Sequence, residues 1–182
     1  MAEKSSLNII IRQSHTDDIP AITEIYRDAV LHGKASFEID PPSADEMLKR
    51  RDALVSGGFS YLVAEVEGRI AGYAYAGAYR ARPAYGATVE DSVYVSPNAK
   101  GMGIGRKLLD ALIVDATAKG FRQMVAVIGD SANAASVGVH RAAGFEMVGT
   151  LKSIGWKHGQ WLDTVLMQRP LGEADTTPRF QP

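Results

Sequence analysis

Three glycines, Gly101, Gly103 and Gly105, stand between two stretches of opposite character. Before them TVEDSVYV (Thr88–Val95) alternates as a strand does. After them comes a leucine-rich stretch with helical spacing from about Ile104 to Lys119, in which Leu108, Leu109, Leu112, Ile113 and Ala116 share one face. Glycine loses more backbone freedom on folding than any other residue, so this spacing is costly unless the main chain must go where side chains would obstruct it. A strand, a glycine loop and a helix in that order place unbonded N–H groups and a partial positive charge at one spot, which suits an anion. Lys100 and Arg106 flank the loop with positive charge. Residues Lys100, Gly101, Met102, Gly103, Ile104, Gly105 and Arg106 are therefore read as a diphosphate cradle; a turn that needs positive φ is the plainer alternative. The Walker pattern fails, because GIGRKL lacks Gly-Lys-Ser/Thr. The dinucleotide pattern fails too, since Arg106 or Leu108 stands where its third glycine belongs. Asp130, near the end of the next strand, keeps a nicotinamide reading open.

The rest of the chain reads as short alternating elements. LNIIIRQ (Leu7–Gln13) is a strand and TDDIPAITEIYRDAVLHG a helix with Ile19, Ile22, Tyr26, Ala29 and Val30 on one face. Ser43 and Glu46 form a capping-box pattern that opens a second helix to about Val55. Two β-rich runs flank Glu67-Gly68 as a hairpin. A buried strand, RQMVAVIG, precedes a short helix with Asn133 as N-cap and Gly144 beyond its end. Two further strands meet at Lys157-His158-Gly159. The order β-α-α-β-β-β-α-β-α-β-β predicts an α/β fold of the mixed α+β kind, a sheet with helices on its faces. One domain is expected over residues 1–170, with a flexible C-terminal tail over 171–182.

Composition narrows the function classes. The formal net charge of −1 gives no support to nucleic-acid binding, and the absence of cysteine removes disulfides, thiolate metal sites and a cysteine nucleophile. The four histidines have no metal-ligand spacing, so no metal is expected. No apolar run is long enough to span a membrane, and MAEKSSLNIIIR lacks the apolar stretch of a secretion signal. A cytoplasmic protein with no membrane and no nucleic-acid partner is expected.

VYVSPNAKGMGIGRKLL resembles motif A of the GNAT N-acetyltransferases, Gln/Arg-x-x-Gly-x-Gly/Ala after a central strand, with Lys100 in place of the usual first residue. NAASVGVHRAAGF resembles the second signature of that family, and the element order matches across about Leu7–Arg169. TVEDSVYVSP, MVAVIG, GWKHGQWLD and ASFEIDPPS are similar to the phosphinothricin and methionine sulfoximine acetyltransferase subfamily. The resemblance implies a mostly antiparallel sheet of about seven strands with four helices, and acetyl-CoA as co-substrate between two splayed parallel strands. It implies main-chain contacts to the pantetheine arm at Val93, Tyr94 and Val95, the diphosphate on the 100–106 loop, and Asn133 and Ser136 at the far wall. Asn133 also reads as a plain helix cap.

The implied reaction moves the acetyl group to the amine of a small amino-acid analogue by direct attack in a ternary complex. Such a transfer needs a base for the ammonium proton, a donor for the thioester oxygen and a proton for the leaving sulfur. Glu90 is the candidate base, or else a solvated strand glutamate. His140, where the wider family commonly has tyrosine, is a candidate acid or base helper, or else a residue that packs its helix. Arg80 and Arg82 could hold a carboxylate or phosphinate, and Phe37, Tyr75 and Tyr85 could wall the acceptor pocket. Trp156 and Trp161 read as core or interface. The subfamily implies a homodimer, with His158 within reach of a neighbouring subunit. A GNAT enzyme for a peptide N-terminus or polyamine, and a non-catalytic CoA sensor, are the alternatives.

Overall fold

The structure is a computed structural model that describes residues 8–178. Leu7 of the expected first strand and residues 179–182 of the expected tail lie outside them. The observed elements are β1 (Ile9–Gln13), α1 (Ile19–His32), α2 (Ala44–Ser56), β2 (Tyr61–Val66), β3 (Arg69–Ala78), β4 (Thr88–Val95), α3 (Ile104–Ala118), β5 (Gln123–Gly129), α4 (Ala134–Ala142), β6 (Glu146–Lys157) and β7 (Gln160–Pro170). Among the described residues these seven strands make one sheet in the order β1-β2-β3-β4-β5-β7-β6. Neighbours are antiparallel except β4 and β5, which run parallel. The expected mixed sheet with four helices is thus the observed one.

Strand alternation builds two cores, one on each face of the sheet. Leu62, Ala64, Ala74, Ala76, Val89, Met124 and Ala126 point to one face, where α3 covers them with Leu108, Leu109, Leu112, Ile113 and Ala116. Tyr61, Val63 and Tyr73 point to the other, where α1 supplies Ile19, Ile22, Ile25, Tyr26 and Val30, and α2 supplies Met47. Gly72 permits the close seating of α3, since a Cβ there would lie 3.1 Å from Ile104 and 3.2 Å from Leu108.

Local chemistry sets the helix ends. The Ser43 hydroxyl accepts from the Glu46 N–H at 3.2 Å. The Glu46 carboxylate turns to Arg50 Nε at 2.9 Å, so it serves the helix flank and only half of the predicted capping box is built. Asn133 caps α4 by accepting from the Ser136 N–H at 3.1 Å. Beyond β7, Leu171 is buried, and Arg122 reaches Glu173 and Thr177. Among the described residues no helix is long and apolar enough to cross a membrane.

Candidate active site

The parallel pairing of β4 and β5 is short. It runs from Thr88↔Gln123 to Asp91↔Ala126 and stops. Beyond that point β4 stays with β3, Ser92 to Val95 facing Tyr75 to Gly72, while Val127 to Gly129 stay with β7. The strands part, and a groove opens between them. A cavity of about 50 Å³ lies there, lined by Asp91, Ser92, Val93, Tyr94, Ala126–Gly129, Ser136, His140 and Ala35. Main-chain groups along Ser92–Val95 have no strand partner on the β5 side, so they are free to bond an extended ligand.

The glycine loop follows β4 after a single 3-10 turn, Pro97–Ala99. Gly101 has φ +80° and Gly103, the N-cap of α3, has φ +78°. A Cβ at either would meet nothing within 4 Å, so the space over the loop is open. The first-turn N–H groups of α3 have no intrahelical acceptor and face that space. A Cβ on Gly105 would lie 3.5 Å from the Val95 side chain, an ordinary contact. Ile104 is buried and belongs to the core, so its N–H and not its side chain is available; Met102 is exposed. Arg106 is drawn into an i,i+4 pair with Asp110 at 2.8 Å. A donor-lined loop at the mouth of a groove with unpaired main chain fits a coenzyme that carries a diphosphate and an amide-bearing arm. Lys100 to Arg106 would hold its diphosphate, Val93 to Val95 its arm, and its thioester would supply the activated acetyl group.

Residues of β4 divide between the two faces. Glu90, Ser92 and Tyr94 stand opposite Gly77, Tyr75 and Tyr73. Tyr94 packs on Tyr73 and edge-on to Tyr26, so its side chain is core and its main chain is what lines the groove. Asp91 and His140 meet on the α4 side. Glu90 and His140 therefore approach the groove from opposite faces of the sheet. Burial pushes the Glu90 carboxyl above its ordinary range and Asp91 pushes it further, against the pull of Arg80.

On the Glu90 face a second cavity of about 300 Å³ is lined by Tyr26, Met47, Arg50, Leu54, Tyr61, Tyr73 and Tyr75. The Tyr73 hydroxyl is buried without a partner among the described residues. Of the residues read as pocket wall, Tyr75 lines this cavity. Phe37 lies across β6, where a Cβ on Gly155 would overlap its ring. Arg80 lies over the Tyr79 ring at 4.7 Å, Tyr85 meets the same ring edge-on, and Arg82 is exposed at the turn between them.

Residues 33–38 are strapped over the end of β5. A Cβ on Gly129 would lie 2.6 Å from the Lys34 and Ala35 carbonyl oxygens. Buried Lys157 donates to the Ser36 carbonyl at 2.7 Å. His158 Nε2 lies 3.1 Å from the Gly33 carbonyl, so this histidine, expected to reach outward, is held by its own chain. Sequence reading passed over Asp91, Arg50, Leu54, Tyr61 and Lys157. The alternation of TVEDSVYV was a usable signal for Asp91, because it puts Asp91 and Glu90 on opposite faces.

This splayed sheet with its glycine loop defines a GNAT acyltransferase, and residues 11–166 match the family described as "Acetyltransferase (GNAT) domain". The chain belongs to that family. It is 52% identical over 167 residues to the phosphinothricin N-acetyltransferase of Alcaligenes faecalis, covering 92% of this chain and 85% of that one. It is 40% identical over 169 residues to the L-methionine sulfoximine/L-methionine sulfone acetyltransferase of Pseudomonas paraeruginosa, covering 92% and 98%. A solved phosphinothricin acetyltransferase from Sinorhizobium meliloti, in complex with AcCoA, superposes with a TM-score of 0.91 at 50% identity and covers 93% of this chain and 92% of its own.

Proposed function

We propose that the protein transfers the acetyl group of acetyl-CoA to the amine of a small amino-acid analogue of the phosphinothricin, methionine sulfoximine or methionine sulfone type. The observation that carries this reading is the groove where β4 and β5 part, with the glycine loop at its mouth and Glu90 beside its start. The activities named for its relatives support the acceptor class. Glu90 takes the proton from the acceptor ammonium, main-chain N–H groups near Val95 polarise the thioester oxygen, and His140 serves the leaving sulfur. Arg80 and Arg82 hold the acceptor carboxylate, Phe37, Tyr75 and Tyr85 flank it, and the tyrosine cavity takes its side chain. Asn133 and Ser136 border the thioester end. The chain works as one domain over residues 1–170, in the cytoplasm, where acetyl-CoA is at hand.

Purified protein with acetyl-CoA and a panel of methionine sulfone, methionine sulfoximine, phosphinothricin, spermidine and a peptide, followed by free thiol, tests the reading. Release with the amino-acid analogues supports it; release with spermidine or peptide alone defeats it. Leu54→Trp, which fills the tyrosine cavity, is expected to raise KM for the analogues about tenfold or more with acetyl-CoA affinity unchanged, the loss of about 1.4 kcal/mol of acceptor binding.

The protein works as a homodimer. Val148, Ile154, Trp156 and Trp161 are 55–62% exposed on the β6–β7 hairpin, and the two indoles lie 5.3 Å apart. An apolar patch on an edge hairpin suits a second copy of the chain. Light scattering is expected to give twice the chain mass, and Trp161→Lys to give the monomer.

A further inference from the structure

The hydrogen bonds of His140 can be counted one by one. Its Nδ1 lies 3.4 Å from the Ser136 hydroxyl and 2.7 Å from the Ser136 carbonyl oxygen; the nearer partner can only accept, so Nδ1 carries a hydrogen. Its Nε2 lies 2.9 Å from Asp91 Oδ2. A bare nitrogen lone pair aimed at a carboxylate oxygen is repulsive, so a second proton lies between them. An imidazole nitrogen is ordinarily the stronger base of the two, which puts that proton on the ring. The ring is then an imidazolium with both N–H groups committed, and it has no lone pair with which to act as a base.

The surroundings agree. Both side chains are buried, and both line the groove where β4 and β5 part. From β5 the same groove is lined by Ala126 and Ile128, from α4 by Ser136. Phe145 meets the ring edge-on at 5.1 Å. On α3, which packs against α4, Arg106 and Asp110 pair with each other in solvent. Asp91 is the charge that acts on the ring. Burial opposes the charged ring, but the bond and charge of Asp91, with the Ser136 carbonyl, outweigh it and hold the His140 pKa above its ordinary value. Asp91 Oδ1 is buried with no partner among the described residues. A buried carboxylate oxygen left without a hydrogen bond is costly.

We propose that Asp91 is a positioning residue that keeps a proton stored on His140 Nε2, at the wall of the groove, for the sulfur that leaves during acetyl transfer. The proposal rests on the acetyltransferase reading for the identity of that sulfur. As the carbon–sulfur bond breaks, its electron pair goes to sulfur, and sulfur takes the Nε2 proton. Neutral His140, still protonated at Nδ1, is left with a bare Nε2 facing the Asp91 carboxylate, an unfavourable contact that is relieved when Nε2 regains a proton from solvent. The two proton tasks are thereby separated, with Glu90 as base on one face of the sheet and His140 as acid on the other.

The test is an NMR titration of full-length protein labelled with ¹⁵N-histidine, with His140 assigned by its loss in His140→Gln. The expected result is a midpoint above the ordinary imidazole value of about 6.5, with the ring mostly protonated on both nitrogens at pH 6.5. In Asp91→Asn the ring should be neutral at that pH with its proton on Nδ1, and its midpoint should fall by one pH unit or more. The alkaline limb of kcat should move down with it, while calorimetry shows unchanged acetyl-CoA affinity. A mostly neutral His140 in the unaltered protein at pH 6.5 overturns the proposal, whether or not the variant folds. So does an Asp91→Asn protein whose ring midpoint and pH profile do not move. The titration needs no acceptor, so a failure of the amine panel leaves this result independent.

Discussion

Glu90→Gln is expected to lower kcat by about 10²- to 10⁴-fold, the usual contribution of a general base, with no change in acetyl-CoA affinity. Glutamine keeps the shape of the side chain and loses its ability to take a proton. The fall should stop short of the uncatalysed rate, because the groove still holds amine and thioester together. A pH dependence accompanies it. Burial and then Asp91 raise the Glu90 pKa, and the base works only when ionised. Activity is therefore full above that raised value and lost as pH falls through it, so the acid limb of kcat/KM lies above the ordinary glutamate value. Arg80 pulls the other way, so Arg80→Ala should move the limb further up. A Glu90→Gln enzyme with unaltered kcat, or an acid limb at the ordinary value, would remove Glu90 from the reaction.

Gly103→Val is expected to weaken acetyl-CoA binding tenfold or more. At φ +78° a β-branched residue is strained by about 1–2 kcal/mol. Either the strain stays, or the loop relaxes and the N–H groups at the start of α3 turn from their common focus. Gly58→Val is the matched control: its φ is +81°, a Cβ there meets nothing within 4 Å, and it lies just past α2. Both variants should melt earlier, and Gly103→Val alone should lose coenzyme affinity by calorimetry. Equal affinity in the two variants would mean that the loop does not grip the diphosphate.

These contrasts track what the sequence made legible. The glycine loop, the helix caps and the strand alternation are local, so the element order and the coenzyme side of the site could be read from spacing. The acceptor side, the strap and the Asp91–His140 pair could not. Asp91 and His140 are 49 positions apart, and Lys157 and Ser36 are 121 apart. The tyrosine cavity draws residues from α1, α2, β2 and β3, and no short motif marks such a convergence. Arg80 and Arg82 drew attention as charges in a loop, whereas Arg50 was hidden inside an ordinary amphipathic helix.

The strap over β5 gives this division a consequence for assembly. Its anchors, Lys157 and His158, come from the last hairpin, while the strap itself leaves the first helix. Closure of the groove, which Ala35 of the strap lines, should thus be the final property gained during refolding and the earliest forfeited in denaturant.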